Sequence, residues 1–443
     1  MTLALYASIL IAAQAQTFTG SITGIVTDQN GALVPNTEVT LTSVDTGLKR
    51  TTTSNSAGAY NFTSLPPGSY TIRFAAGGFT TREMKTQLAV AQQLRIDMQL
   101  KVGGASETMD IVVSEGGVAV DTQNAQLSNV VTERQVKDLP LITRNPYDLL
   151  ALSAGTTDGP DRGSGFERGG GFAINGQRSQ SGNFMLDGGE NNDTFVTGSG
   201  QTIPLDSIQE FRVQTNNYTA EYGRGSGFVA NVVTKSGSNE FHGTVYEFNR
   251  NSALAANDSF NNANGFDKAF FNRNQFGFSG GGPVIKNNTF FFGSAEWLKI
   301  RSSVDTGFFV PTPQLLAASS AATNSIFSQS PPPPITGRLL TAADLGLTGE
   351  SALTSATGAP IAADTPLFGR VTVPLPRDAG AQLPQDTFLW TGRVDHNFSD
   401  RTSLFGRYAY QRVNFQDGTN SFSPYAGYTT AIADRNQNFT LQL

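Results

Sequence analysis

The sequence contains no cysteine, only two histidines and few charged residues, and each shortage excludes a class of function. Without cysteine, the 443-residue chain can form no disulfide, no zinc–thiolate site and no cysteine nucleophile. His242 and His396 fall on separate predicted strands, so neither a histidine–metal cluster nor a Ser-His-Asp set is readily assembled. Charged residues make up 15% of the chain and the net charge is -6, which leaves no basic surface for phosphates. We therefore expect no enzyme activity, no metal, no cofactor and no nucleic-acid partner.

The sequence also lacks any apolar run long enough for a transmembrane helix, so a membrane-spanning form would have to cross with strands. The chain begins with the apolar stretch LALYASILIAAQA, whose end Ala13-Gln14-Ala15 has the A-x-A form of a signal-peptidase site. We predict a signal peptide over residues 1–15, and a buried N-terminal helix is the alternative. No Lys or Arg precedes the apolar stretch, which leaves the natural start of the chain open.

Glycine and phenylalanine are abundant, with 47 and 31 residues, which is typical of aromatic strands joined by tight turns. Residues 17–100 show period-2 alternation, as in Tyr70, Ile72 and Phe74, between turns such as DQNGALVPN and LPPGSY. This pattern predicts a β-sandwich of about seven short strands. The stretch GSITGIVTDQNGALVPNTEVTLTS, with SNSAGAYNFTSLPPGSYTIRFAAGGF after it, resembles the carboxypeptidase regulatory-like domain. That resemblance implies a transthyretin-like, carbohydrate-binding-like fold without catalysis, and either sugar binding or a spacer or docking role.

A polar tether over residues 101–118 follows the sandwich and encloses a short β-prone run bounded by Gly104 and Gly116. Such a run suits pairing with the sheet edge of another protein, and an extra strand of the neighbouring domain is the alternative. The run comprises Thr108, Met109, Asp110, Ile111, Val112 and Val113.

Residues 119–237 combine helix and strand signals and predict a compact α+β domain. Thr132 with Gln135 forms a capping box, and Asn145 followed by Pro146 is a helix start before YDLLAL. Strands are predicted at 184–187, 210–214 and 229–234. The acidic stretch DGGENND, residues 187–193, has calcium-type ligands without EF-hand spacing, so we interpret it as a solvated loop.

Four motifs of this region resemble the plug domain of TonB-dependent outer-membrane receptors, in particular the Oar-like branch that carries a regulatory-like domain in front. They are LDG (Leu186, Asp187, Gly188), IQEFRV (208–213), AEYGRGSG (220–227, with Glu221, Tyr222, Gly223, Arg224 and Gly225) and NVVTKSGSNEFHG (231–243). The resemblance implies that Thr108–Val113 is a TonB box that contacts the C-terminal domain of TonB. It also implies outer-membrane lipid and an unknown external ligand as partners, with the N-terminal domain in the periplasm.

Residues 238–443 have the alternation of strands that face lipid on one side. In TFLWTGRVDHNF, Phe388, Trp390 and Val394 share one face, while Thr391 and Arg393 share the other. We predict that Trp390 faces lipid and Arg393 faces the lumen. The stretch SLFGRYAYQR repeats the pattern, with Arg407 and Gln411 on the face opposite to Tyr408, and NQFGFS does so as well. A soluble β-sandwich would also alternate, but it would carry more Val, Ile and Leu on its apolar face.

The connections between the predicted strands are alternately short and long, as in an outer-membrane barrel. Strands are expected near 241–249, 273–281, 289–300, 387–398 and 402–413, with a sixth near the end of the chain. The long link 301–386, which contains PPPP at 331–334, is predicted to be an irregular surface segment. The resemblance implies about 22 strands, so we expect this chain to be the N-terminal part of a longer receptor.

The fold class is therefore predicted as mainly β, with a sandwich, a plug and the first strands of a transmembrane antiparallel barrel. The leading hypothesis is an outer-membrane receptor for energised uptake of an external ligand, whose identity the sequence leaves open and for which a carbohydrate and a siderophore are candidates. The alternatives are an adhesion or secretion-assisting protein on the same scaffold and a soluble carbohydrate-binding protein.

Overall fold

The computed structural model describes residues 19–103, 107–108, 126–158, 171–178, 181–193, 198–219, 222–400 and 402–443. Within these ranges strands predominate, which confirms the predicted fold class. The predicted signal peptide lies outside the described residues. Among the helices in these ranges, none is both long and apolar enough to cross a membrane.

The first unit is a two-sheet sandwich in which β1 pairs with β4, β7 and β8, while the facing sheet has the order β3-β2-β5-β6-β9. Its core is formed by alternate residues of both sheets, among them Ile22, Leu41, Ile72 and Phe74, which are fully or almost fully buried. Its strands are β1 (Gly20–Asp28), β2 (Glu38–Ser43), β3 (Lys49–Thr53), β4 (Ala59–Leu65), β5 (Gly68–Ala75), β6 (Arg82–Leu88), β7 (Gln93–Arg95), β8 (Met98–Leu100) and β9 (Glu107–Thr108).

The second unit is a five-stranded sheet of order β10-β15-β16-β13-β14, with β11 and β12 paired beside it. The predicted capping box is confirmed, because the Thr132 side chain accepts from the Gln135 backbone and the Gln135 side chain accepts from the Thr132 backbone. The helix that follows Asn145 also exists, but it is a 3-10 helix. The elements are β10 (Leu127–Thr132), the α-helix Glu133–Asp138, the 3-10 helices Pro146–Leu152 and Leu205–Ser207, β11 (Thr156–Asp158), β12 (Phe172–Ile174), β13 (Gly182–Leu186), β14 (Gly189–Glu190), β15 (Ile208–Asn216) and β16 (Phe228–Thr234).

The third unit is a sheet in which six strands follow one another in the order β17-β18-β19-β22-β23-β24, all antiparallel. We call it the wall. All six predicted strands are found, and β17 and β24 form its edges. The elements are β17 (His242–Asn251), the 3-10 helix Ser252–Leu254, the helix Ser259–Asn264, β18 (Phe270–Ile285), β19 (Thr289–Pro311), the helices Pro313–Ala318 and Ala321–Gln329, β20 (Leu339–Thr341), the 3-10 helix Gly349–Ser351, β21 (Pro366–Leu375), β22 (Gln385–Ser399), β23 (Thr402–Phe415) and β24 (Ala433–Gln442).

The wall strands alternate as the sequence pattern predicts. In β22, Trp390 and Val394 are exposed on the outer face, whereas Thr391 and Arg393 are buried on the inner face. The inner face packs against the second unit, since Ala409 of β23 belongs to the hydrophobic core that contains Phe184 and Phe211. Trp390 and Arg393 thus lie on opposite faces of β22, as predicted, and the inner face carries a packed domain, while the contact of Trp390 with lipid stays a prediction.

The long segment 301–386 is more regular than expected. The prediction of an irregular surface segment is wrong for much of it, because β19 continues to Pro311 and pairs there with β21, which in turn pairs with β20. Two short helices lie between β19 and β20, and their N-caps are Thr312 and Ser320. The physical reason is that the extended backbone of β19 offers an unpaired edge beyond β18, which the returning chain can pair with.

Candidate functional site

The LDG motif forms the turn at the inner end of β13, and this turn buries a carboxylate. Asp187 has a positive φ of 50° and Gly188 one of 73°, so the chain reverses within two residues into β14. The Asp187 side chain is fully buried and accepts hydrogen bonds from the Thr234 backbone N–H (2.8 Å) and from the Thr234 hydroxyl. A carboxylate held by its own domain in this way is fixed in position and keeps free lone pairs for a partner.

Two arginines of the wall reach this carboxylate. Arg393 on β22 and Arg407 on β23 are direct cross-strand neighbours, and both point inward. The Arg407 Nε lies 3.0 Å from Asp187 Oδ2, and the Arg393 Nη1 lies 3.6 Å from Asp187 Oδ1. Asp395 pairs with Arg393 at 2.8 Å, so two arginines meet two aspartates. We call these four residues the charge cluster.

Further hydrogen bonds orient the two guanidinium groups. Arg407 donates to the Leu186 carbonyl (3.0 Å), and on β24 it donates to Asn438 Oδ1 (2.6 Å) and Thr440 Oγ1 (2.7 Å). Arg393 donates to the Thr234 carbonyl at 3.0 Å. Each buried cation therefore has partners on both the second unit and the wall, which offsets its desolvation. Such a cluster holds the two parts together while it is complete and becomes unfavourable when one partner leaves.

A second polar contact joins the second unit to the wall, just before the start of the 3-10 helix at 146–152. Arg144 pairs with Asp206 at 2.6 Å, both largely buried, and its guanidinium carbon lies 4.0 Å from the ring centroid of Phe248 on β17. From β18, Arg273 donates to the carbonyls of Ile142 (3.1 Å) and Thr143. Two separate polar contacts thus fix the second unit against the inner face of the wall.

The AEYGRGSG motif fastens the loop before β16 to β13. Tyr222 is buried against Met185, and the Gly223 carbonyl accepts from the Asn183 side chain at 3.0 Å. Arg224 pairs with Glu190, and a Cβ on Gly225 would lie 2.8 Å from the Asn183 backbone nitrogen, so this glycine permits a close approach. Glu221 lies outside the described residues.

The predicted TonB box lies almost entirely outside the described residues, which include Thr108 but not Met109, Asp110, Ile111, Val112 or Val113. Glu107 and Thr108 form β9, which pairs in parallel with Arg82 and Glu83 of β6. The run therefore begins at the edge of the sandwich, and its role as a TonB box stays a prediction.

A polar recess of about 430 Å³ lies between the loops after β14 and the edge strand β24. Amide and charged side chains line it, including Glu190, Asn192, Arg435 and Gln437. Across the ranges that the structure covers, no group of three or more His, Asp or Glu side chains is arranged to hold a metal. This recess is thus a place where a polar solute could contact both the second unit and the wall.

Sequence reasoning identified Asp187 as a motif residue and placed Arg393 and Arg407 on the inner face, but it did not bring the three together. A signal was present: β22 ends at Ser399 and β23 begins at Thr402, so residues equidistant from that hairpin end face each other. Two inward arginines at equal distance from a short turn form a buried cation pair, which requires an acidic partner.

Three family models match this chain. An outer membrane beta barrel domain matches residues 233–443, a carboxypeptidase regulatory-like domain matches 21–101, and a TonB-dependent receptor plug domain matches 121–228. Among curated proteins, the chain is similar to the TonB-dependent transporter Oar of Myxococcus xanthus, at 28% identity over 298 residues. That match covers 63% of this chain and 26% of the relative, so the chain spans about a quarter of the relative's length.

Two solved outer-membrane proteins are also similar to the chain. The outer membrane transporter YddB of Escherichia coli has 12% identity and a TM-score of 0.40, with 66% of this chain and 33% of that chain covered. The siderophore receptor PirA of Acinetobacter baumannii has 14% identity and a TM-score of 0.36, with 70% and 43% covered.

Proposed function

Because this chain belongs to the TonB-dependent receptors of the outer membrane, we propose that it serves the energised uptake of an external ligand. In this proposal the second unit is the plug, the wall is part of the surrounding barrel, and TonB pulls on the tether between sandwich and plug. The plug then rearranges and lets the ligand pass.

The charge cluster is the observation that carries this proposal. It joins Asp187 of the plug to Arg393 and Arg407 of the wall through ion pairs whose side chains are fully or almost fully buried. A closed plug must be held firmly, yet it must also come free without unfolding the barrel. A buried ion cluster meets both needs. The attraction between its charges is strong while water is excluded from the cluster, and it becomes weak once water enters and screens the charges.

The polar recess supports an external ligand of polar character. Its plug side and its wall side would move apart when the plug rearranges, so a solute bound there would respond to that movement. Carbohydrates, siderophores and peptides all offer the oxygen and nitrogen atoms that amide side chains bind.

Growth and uptake profiling of a deletion strain tests the proposal directly. The strain is grown on sugars, siderophores and peptides, and the accumulation of each labelled solute is compared with that in the parent strain. We expect a loss of uptake for one solute class, restored by the gene supplied in trans. Normal uptake of every class, together with loss of surface attachment or of a secreted cargo, would instead favour the adhesion or secretion-assisting alternative.

We expect that proline at Ile111 abolishes binding of the C-terminal domain of TonB. In the proposed mode, Thr108–Val113 adds as a strand to the sheet edge of TonB, so main-chain hydrogen bonds dominate and a proline removes one donor and fixes φ. Alanine at Ile111 is the matched control, which keeps the donor and should bind nearly as well as the wild type. A pull-down with purified TonB domain measures both variants, and equal retention of the proline variant would refute the strand-addition mode.

A further inference from the structure

The sandwich contacts the plug at a tight turn between β6 and β7, residues 89–92, which we call the docking turn, and a further bond of 3.5 Å runs from the Gln209 side chain to the Pro67 carbonyl. The turn is rigid: Ala91 has a positive φ of 50°, the Ala89 N–H donates to the Gln92 side chain at 2.8 Å, and the Gln92 carbonyl accepts from Ser21 of β1 at 2.9 Å. Val90 at its tip is fully buried, although it does not belong to the sandwich core. Its side chain is instead inserted between the plug and the wall.

Val90 fills a seam between the plug and the wall. It packs with Val233 of β16 and Phe405 of β23 in a small apolar cluster. Phe405 in turn lies beneath the charge cluster, with the guanidinium carbon of Arg393 4.5 Å from its ring centroid. A continuous line of contacts therefore runs from the docking turn through Phe405 to Arg393 and Asp187.

Two polar side chains of the plug hold the main chain of Val90 from both sides. The Val90 N–H donates to Glu210 Oε2 at 2.8 Å, and the Val90 carbonyl accepts from Arg212 Nη1. Glu210 and Arg212 lie two residues apart on β15, so they share the face of the strand opposite to Phe211, and both are almost fully buried. Burial raises the pKa of Glu210 to about 7, and the bond from Val90 and the charge of Arg212 oppose that rise.

A second seam places the sandwich against the end of the wall that has the short turns. The Asp45 carbonyl accepts from the Asn239 N–H at 2.9 Å, and the Asn239 side chain donates to Asn287, which lies in the turn between β18 and β19. The docking turn and this second seam together fix the sandwich in one orientation under the plug.

We propose that the sandwich is a releasable stopper of the plug. While the docking turn is in place, the sandwich keeps the ion pairs of the charge cluster intact, and the cluster can open only after the docking turn has withdrawn. Glu210 and Arg212 recognise the backbone of Val90, while Val90 supports Phe405 against Arg393. The stopper would regulate the transport proposed above, but docking itself is measurable without ligand or TonB, so a failure of one is distinct from a failure of the other.

The absence of cysteine from the 443-residue chain allows docking to be measured by single-cysteine labelling of this chain in detergent. A cysteine at Val90 should be strongly protected from a maleimide, whereas one at Val44, which is exposed on the same sandwich, should react freely. Adding Arg212→Met should speed labelling at position 90 by about tenfold to a hundredfold, because a hydrogen bond to a charged donor is lost. Ser128→Ala is the matched control: it removes only the bond that Arg212 makes within the plug (3.2 Å) and should leave the rate unchanged.

The effect on the plug is measured with a reporter cysteine at Val136, which is fully buried in the plug core. Val90→Asp places a charge in the seam and should speed labelling at position 136 by about tenfold or more, although the change lies in another domain. Val44→Asp should have no such effect. A cysteine at Ile72 in the sandwich core should stay protected in both variants, which shows that the sandwich remains folded.

Two results would overturn the proposal. Labelling of Val90→Cys as fast as Val44→Cys would show that the turn is not docked. Unchanged protection at position 136 in the Val90→Asp receptor, with position 72 still protected, would show that docking does not hold the plug.

Discussion

Replacing Asp187 with alanine should destabilise the closed plug by about 3–5 kcal/mol, the range found when one partner of a buried ion pair is removed. Arg407, whose side chain is fully buried, would lose its ion pair with Asp187, and Arg393 would keep its ion pair with Asp395. The Thr234 N–H would also lose its acceptor. Asparagine at position 187 should recover part of the loss, because it can still accept from Thr234 but carries no charge.

The measurement is urea-dependent labelling of the reporter cysteine at Val136. With a denaturant slope of about 1–3 kcal/mol per M, the midpoint should fall by at least about 1 M. Glu190→Ala is the matched control, since Glu190 lies three residues away and pairs with Arg224 in a largely exposed contact. The Glu190→Ala variant should destabilise the closed plug by only about 0–1 kcal/mol. Equal midpoints for the two variants would show that the charge cluster does not hold the plug.

Lysine in place of Val394 should destabilise the membrane-inserted wall by about 2–4 kcal/mol if the position lies near the bilayer midplane. Val394 is 52% exposed on the outer face of β22, where a charged group would meet hydrocarbon. The nearest residues on the same face of β22 are Gly392 and His396, so no acidic side chain on that face of the strand is adjacent to receive the charge.

Folding of the receptor into lipid vesicles in urea provides the measurement. Phe398→Lys is the depth control, because Phe398 shares the outer face but lies next to the turn at the end of β22. A lysine there can reach the interface, so its cost should be about 0–1 kcal/mol. If both lysine variants fold with wild-type stability, the outer face of β22 does not face lipid.

Local patterns were sufficient for much of the fold. The alternation of β22 and β23 specifies which residues face the plug, and the hairpin between them specifies that Arg393 and Arg407 are neighbours. The capping box at Thr132 depends on residues three positions apart, so it too is visible in the sequence. These features are predictable because each is decided within a few residues of the chain.

The contacts that define the site are not local. Asp187 and Arg407 are 220 residues apart, and Val90 and Glu210 are 120 apart. No pattern near Val90 distinguishes it from a loop residue, since its burial depends on a seam formed by two other domains. The IQEFRV motif was recognisable, but the role of its Glu210 and Arg212 appears only when the docking turn is in place.

The upper part of β19 gives the wall an uneven height. Thr289–Ile300 pairs with β22 inside the wall, whereas Val304–Pro311 pairs with β21 beyond the point where β18 ends. At about 3.3 Å per residue this upper part adds roughly 25 Å along the strand, or about 18 Å of height at a tilt near 45°. It rises at the end opposite the short turns, where the connections are long. Among the strands of the wall that the structure describes, β19 with β21 thus forms one tall corner beside lower neighbours.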